Sequence, residues 1–167
     1  MSLLSICQWV DGTDWSELMR QSAWLFHAFD TIHTLGIVLV AGAIMIVDLR
    51  LLGLGLRSVP VTDLVSRVVP LTRWGFGLMI VSGVLLFSSE AVKMYYSPAF
   101  RIKLILLALV GVNALVFRRM IYRDVANWDG ASVVPREARL AGLLSLVFWI
   151  AIIAAGRAIA YGPGYDL

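Results

Sequence analysis

The stretch His27-Ala-Phe-Asp30-Thr-Ile-His33-Thr-Leu-Gly36, continued by the apolar run 37–47 and closed by Asp48-Leu-Arg50, decides the fold. No charge lies between Asp30 and Asp48, and at 1.5 Å per residue the segment makes a helix about 25 Å long, close to one hydrocarbon core. It reads as a first membrane span that carries both histidines of the chain near one end.

Composition points the same way. Of 167 residues, 60% are hydrophobic and 15% charged, and the mean hydropathy is +0.85; an ordinary soluble domain has roughly a quarter of its residues charged. Three further windows are free of charge, 74–89, 104–117 and 140–156, which makes four spans with 31–47. The expected fold is all-α: a polytopic four-helix transmembrane bundle with a short interfacial helix before it. Its spans fall at about 24–54, 64–92, 100–121 and 137–161, in one transmembrane domain 23–167 after an interfacial segment 1–22. That segment has no basic start or small-residue cleavage site of a secretory leader. Asp14-Trp-Ser-Glu17 reads as a capping box with Asp14 as N-cap, and Trp9, Trp15 and Trp24 suit the headgroup level. Pro60, Pro70, Pro98, Pro135 and Pro163 are expected in connections or just past helix ends. Gly36, Gly42, Gly77, Gly83, Gly111 and Gly142 lie inside the windows, where small residues let helices approach.

The net charge of +3 is no nucleic-acid signal, because the arginines are dispersed at the ends of apolar runs; the expected surroundings are the lipid bilayer and no nucleic acid. Nine basic residues (Arg50, Arg57, Arg67, Arg73, Arg118, Arg119, Arg123, Arg136 and Arg139) lie in the connections after spans one and three. Five (Arg20, Lys93, Arg101, Lys103 and Arg157) lie on the other face. This imbalance puts both termini outside, the periplasmic side of a bacterial inner membrane. Cys7 is the lone cysteine and carries no zinc-site spacing. Nucleophile elbow, phosphate loop and H-E-x-x-H are all absent from the sequence.

Antiparallel packing of the four spans brings Asp30, His33, Glu90, Arg101, Lys103 and Arg157 to one layer at the outer face. Ionisable groups at membrane depth mark functional sites by default, although Glu90 with Lys103 and Asp30 with Arg157 also make sense as structural ion pairs. A b-type haem needs an axial imidazole, an apolar slot and cations for its propionates. His33, with Lys103, Arg101 and Arg157 at the rim, has the residue types for it. His27 and His33 stand about 9 Å and 120° apart on one helix, so they cannot both ligate one haem within one chain. A bis-histidine site then needs a second chain; otherwise His33 binds alone or with a sixth ligand such as Met79, or the two histidines serve different sites. The same histidines, with Met19 and Met94, suit copper. A third possibility is a non-metal transporter or accessory subunit, with a path lined by Asn113, Lys103 and Glu90. For a haem protein the expected task is electron transfer with a quinone or a periplasmic redox partner, in a homo-oligomer, because short glycine-lined spans enclose little. At the opposite end Asp48, Arg50 and Arg73 read as a charged collar, with Asp48 pairing across helices to a cation such as Arg73.

Ile32-His33-Thr-Leu-Gly36, Asp48-Leu-Arg50-Leu-Leu-Gly53, Pro70-Leu-Thr-Arg73, Phe100-Arg-Ile-Lys103, Asn113-Ala-Leu and Gly156-Arg157-Ala-Ile-Ala-Tyr161 together resemble a family of small bacterial four-helix inner-membrane proteins without an established activity. Through the His-x-x-Gly start of a span the chain is more distantly similar to the membrane domain of copper-resistance D proteins. The resemblance implies fold and location and does not choose between haem and copper.

Overall fold

Each charge-free window becomes one long helix, because in lipid a backbone must satisfy its own N–H and C=O groups. The computed structural model describes residues 2–22, 24–129 and 134–160. Four long helices in it have the length and composition to cross a membrane, and no strand occurs among the described residues. The chain is an all-α, multi-pass membrane protein. Its long helices are α3 (Leu25–Leu52), α4 (Val61–Ser89), α6 (Pro98–Val116) and α7 (Arg136–Ala160); α1 (Leu3–Asp11), α2 (Asp14–Gln21) and α5 (Ala91–Tyr96) are short. α6 runs on through a π-helical turn, Phe117–Ile121, and a 3₁₀ segment, Tyr122–Asn127.

The helix ends show how the pieces are joined. α3 stops at Gly53, whose φ of 72° is left-handed; its N–H returns to the carbonyl of Arg50 and that of Leu54 to Leu49, so two orphan carbonyls are satisfied. α4 starts after Pro60, a residue without a capping side chain. The missing cap comes from Asp129, in the connection between α6 and α7. Its carboxylate accepts from the backbone N–H of Val61, from that of Thr62 at 3.2 Å and from the Thr62 hydroxyl at 2.5 Å. Desolvation pushes the Asp129 carboxyl up, but the bonds from Thr62 and Val61 and the charge of Arg50 outweigh it and hold the group below its ordinary value. Arg50 itself is buried and donates to the carbonyl of Val59 at 2.7 Å. At the far end of α4, the Ser16 hydroxyl lies 2.5 Å from the carbonyl of Ser88, and Arg20 donates to that of Ser89 at 2.9 Å. α2 therefore caps the carboxyl end of α4.

Three local expectations are corrected. The N-cap of α2 is Thr13, whose hydroxyl accepts from the N–H of Ser16, while Glu17 accepts from Gln21 one turn on; the cap falls one residue earlier because Thr13 is the residue in extended backbone. Pro70 lies inside α4. Val61, Leu64, Val65 and Val68 recur at helical spacing against the core, with Asp63, Arg67 and Arg73 exposed, so that packing carries the helix through the proline. Of the six glycines inside the charge-free windows named above, Gly36, Gly83 and Gly142 meet a neighbouring helix closely, and Gly42, Gly77 and Gly111 have nothing within 4 Å. Pro60 and Pro135 precede helices and Pro98 opens one; Pro163 and Tyr161 lie outside the described residues.

Packing order fixes where a site can form. α3 packs on α4 and on α7, and α7 on α6, whereas among the described residues α4 and α6 do not pack along their lengths and meet where the rings of Phe87 and Phe100 stack at 5.6 Å. The four long helices thus make an arc in the order α4, α3, α7, α6. The α3–α4 contact is the tightest: a Cβ on Gly75 would come within 2.5 Å of Val40, and one on Gly36 within 2.8 Å of Met79. Two apolar clusters fill the inside of the arc. One contains Val40, Met79, Val110, Trp149 and Ile152, and the other Val47, Leu51, Val61, Val125 and Trp128.

Candidate functional site

At the histidine end, α3 presents His33 to α4. Its Nδ1 lies 3.0 Å from Ser82 Oγ, and the ring rests on Gly83, where a Cβ would stand 3.1 Å from Cε1. Ser82 spends its proton on the carbonyl of Leu78 at 2.7 Å, so towards His33 it accepts. That assigns the proton to Nδ1 and leaves the lone pair on Nε2. Asp30 and Lys103 are close enough to act electrostatically on the imidazole, and Lys103 Nζ reaches across to α7 beside Gly156.

The other residues of that layer have other attachments. Glu90 pairs with Lys93 at 3.0 Å in place of the expected Lys103, because Lys93 follows it by one turn of α5. Arg101 donates to the carbonyl of Tyr95 at 2.7 Å and stacks over that ring. Arg157 and His27 are exposed, and the His27 ring meets Phe26 edge-on. Met79 is buried, with its side chain against Gly36, so α3 and α4 leave no gap between them at that level. Among the described residues, no three His, Cys, Asp or Glu side chains gather where they could hold a metal ion.

The opposite end holds a cavity of about 550 Å³ between the two apolar clusters. α3 contributes Val47, Asp48 and Leu51; α7 contributes Ala141, Ser145 and Trp149; α4 and α6 form the side walls. The lining is mostly apolar with a few polar groups, the usual make-up of a ligand site. Asp48 is 4% exposed and Trp149 2%. Ser145 is within hydrogen-bonding reach of Asp48, yet Asp48 Oδ2 and Trp149 Nε1 have no hydrogen-bond partner. No ion pair joins Asp48 to Arg73 among the described residues, which corrects the expected pairing: Arg73 is exposed on α4, while Asp48 is buried on the α3–α7 side. Asn113 also lines the cavity, and its amide bonds the carbonyl of Ala141 at 2.9 Å, tying α6 to α7. Leaving a buried polar atom unpaired costs about 1–3 kcal/mol, so two in one cavity call for an explanation.

Residues 9–162 match a family described as a family of unknown function, DUF6644. The chain belongs to this family. No curated protein and no solved structure matches it. The DUF6644 match takes in both the His33 layer and the Asp48 cavity, so both ends belong to the family's common region.

Within this DUF6644 chain, sequence reasoning missed Ser145 and Trp149 and treated Asp48 as part of a collar. A signal existed: Ser145 and Trp149 are four apart, on one face of an otherwise apolar span, and Asp48 ends its span with no cation one turn away on either side. Nothing local said that α7 packs on α3.

Proposed function

We propose that this protein binds a lipid-soluble small molecule in the cavity between α3, α4, α6 and α7, with Asp48 as the polar centre of the site. The supporting observation is that Asp48 and Trp149, both buried in that cavity's wall, keep one unpartnered polar atom each. A ligand's polar group would satisfy them. Such a protein is a carrier, sensor or accessory subunit. Counting basic residues, the cavity lies in the cytoplasmic half of a bacterial inner membrane with both termini periplasmic. The test is photolabelling of the purified protein with a short alkyl diazirine, mapped by peptide mass spectrometry. Labelling is expected at Val110 and Trp149 and is expected to vanish in Ala114→Trp, which places an indole in the cavity. Labelling spread evenly over all lipid-facing residues would overturn the reading.

A second reading, haem b held by His33 near the periplasmic face, is supported by the tautomer: a proton fixed on Nδ1 leaves Nε2 with the lone pair that an axial ligand needs. Lys103 stands within electrostatic reach. Haem would supply one-electron chemistry, with a quinone or a periplasmic protein as partner and a second copy of the chain as a source of the other axial ligand; copper is the alternative metal on His33 and His27. The absorbance spectrum before and after dithionite tests this reading. A Soret band that shifts on reduction and disappears in His33→Ala supports it, and a featureless spectrum from haem-replete cells sinks it.

A further inference from the structure

We infer that the cavity is entered sideways from the bilayer, between α4 and α6, and takes a molecule with a compact, uncharged head bearing both a hydrogen-bond donor and an acceptor, the chemistry of a quinol. This rests on the ligand-binding reading above and adds to it a route and a head group.

The route follows from exposure. Ser66, Pro70 and Arg73 on α4, Ala114 on α6 and Arg118 in the π-helical turn that continues it line the cavity and are all exposed, whereas Asp48, Ser145 and Trp149 at its floor are buried. The mouth therefore lies between α4 and α6, the two ends of the arc, which do not pack along their lengths. Both helices are irregular there. Pro70 has no N–H for the carbonyl of Ser66, and the π-helical turn begins at Phe117, beside Arg118. Such turns are frequent at functional sites. With Arg73 and Arg118 at its edges, the gap between the two spans opens at the headgroup level of the bilayer, so what enters it partitions into the membrane.

The head follows from the floor. Asp48 Oδ2 is an unused acceptor and Trp149 Nε1 an unused donor. Ser145, which reaches Asp48, lies four residues before Trp149 on α7, about 6 Å along the axis. Two oxygens on opposite sides of a six-membered ring span a similar distance. One hydroxyl then donates to Asp48 and the other oxygen accepts from Trp149. The rings of Phe76 and Trp149 meet edge to face at 6.3 Å and give the wall an aromatic surface. Charge is selected against at both levels: a cation has to pass Arg73 and Arg118, and an anion would be placed beside Asp48.

The experiment uses the full chain in nanodiscs of zwitterionic lipid. The probes are a short-chain benzoquinol and its di-O-methyl ether, which lacks both donors, and calorimetry reads the binding. Saturable binding of the quinol is expected, with about tenfold weaker binding of the ether, of Asp48→Ala and of Trp149→Phe. Ala114→Trp, at the exposed mouth, is expected to abolish binding. Asp48→Asn keeps the shape if Asp48→Ala fails to fold, and it too is expected to bind more weakly. Equal affinity for quinol and ether, or no quinol binding, overturns the head assignment; unchanged binding in Ala114→Trp overturns the route. In either case cavity labelling by the diazirine probe would leave the ligand-binding reading standing, and loss of that labelling would remove it.

Discussion

His33 donates from Nδ1 to the hydroxyl of Ser82 across 3.0 Å, a bond between residues 49 apart in sequence that ties α3 to α4. Hydrogen bonds between membrane helices contribute about 0.6 kcal/mol on average and up to about 1.7. Ser82→Ala is expected to lower stability in mild detergent by that amount. It also takes one partner from the ring and leaves the backbone of Met79, so histidine ¹⁵N NMR should show the tautomer balance shift. An unchanged spectrum would mean that another group holds the proton.

The α3–α4 contact leaves no room for a methyl group at Gly75, where the added carbon would meet Val40 at 2.5 Å, while Gly77 has nothing within 4 Å. Gly75→Ala should cost about 1–3 kcal/mol, and Gly77→Ala should be neutral or slightly stabilising, since alanine is the better helix former. Thermal unfolding of the two variants side by side checks the helix interface directly.

Asp129 makes a pH-dependent clasp. Its carboxyl is held below its ordinary value, so its contribution is fully present above the unfolded value of about 4 and is lost as pH falls through the lower folded value. Asp129→Ala is expected to cost about 1 kcal/mol at neutral pH. The difference from wild type should shrink below about pH 4. Asp129→Asn keeps a neutral cap and should be milder, with a flatter acid limb in a melting-temperature series.

Ser16 is fully buried, and its hydroxyl lies between the carbonyls of Ser88 and Val10. Ser16→Ala takes the donor from the carbonyl of Ser88, while that of Val10 keeps the N–H and hydroxyl of Thr13, at a cost of about 1–2 kcal/mol. Because the bond docks α2 on the end of α4, the loss should be local. Limited proteolysis is expected to cut the first 22 residues faster, with the four long helices unaffected.

Much of the fold was legible because the bilayer imposes one rule on every span: an apolar run with its backbone bonds made internally. Four charge-free windows therefore led to four long helices. The relationships that build the cavity were not legible, for a common reason. Asp48 is seen as unpaired only once α7 is placed on α3, and the cap of α4 comes from Asp129, 68 residues beyond Val61. Pro70 misled because proline was weighed by its local cost, without the core contacts of Val61, Leu64, Val65 and Val68 that carry the helix through it. At the histidine end, residue types suggested Lys103 for Glu90, while proximity in the chain favoured Lys93.

The clasp on α4 has a consequence for the order in which the protein is made. Val61 and Thr62 leave the ribosome long before Asp129 does, so the second span is inserted with its amino end still open. Only when the connection after the third span has been synthesised can that end close, and the same event draws together the two helices that flank the cavity. The site is therefore the last part of the molecule to be completed, and a nascent chain halted before residue 129 would hold its first two spans without one.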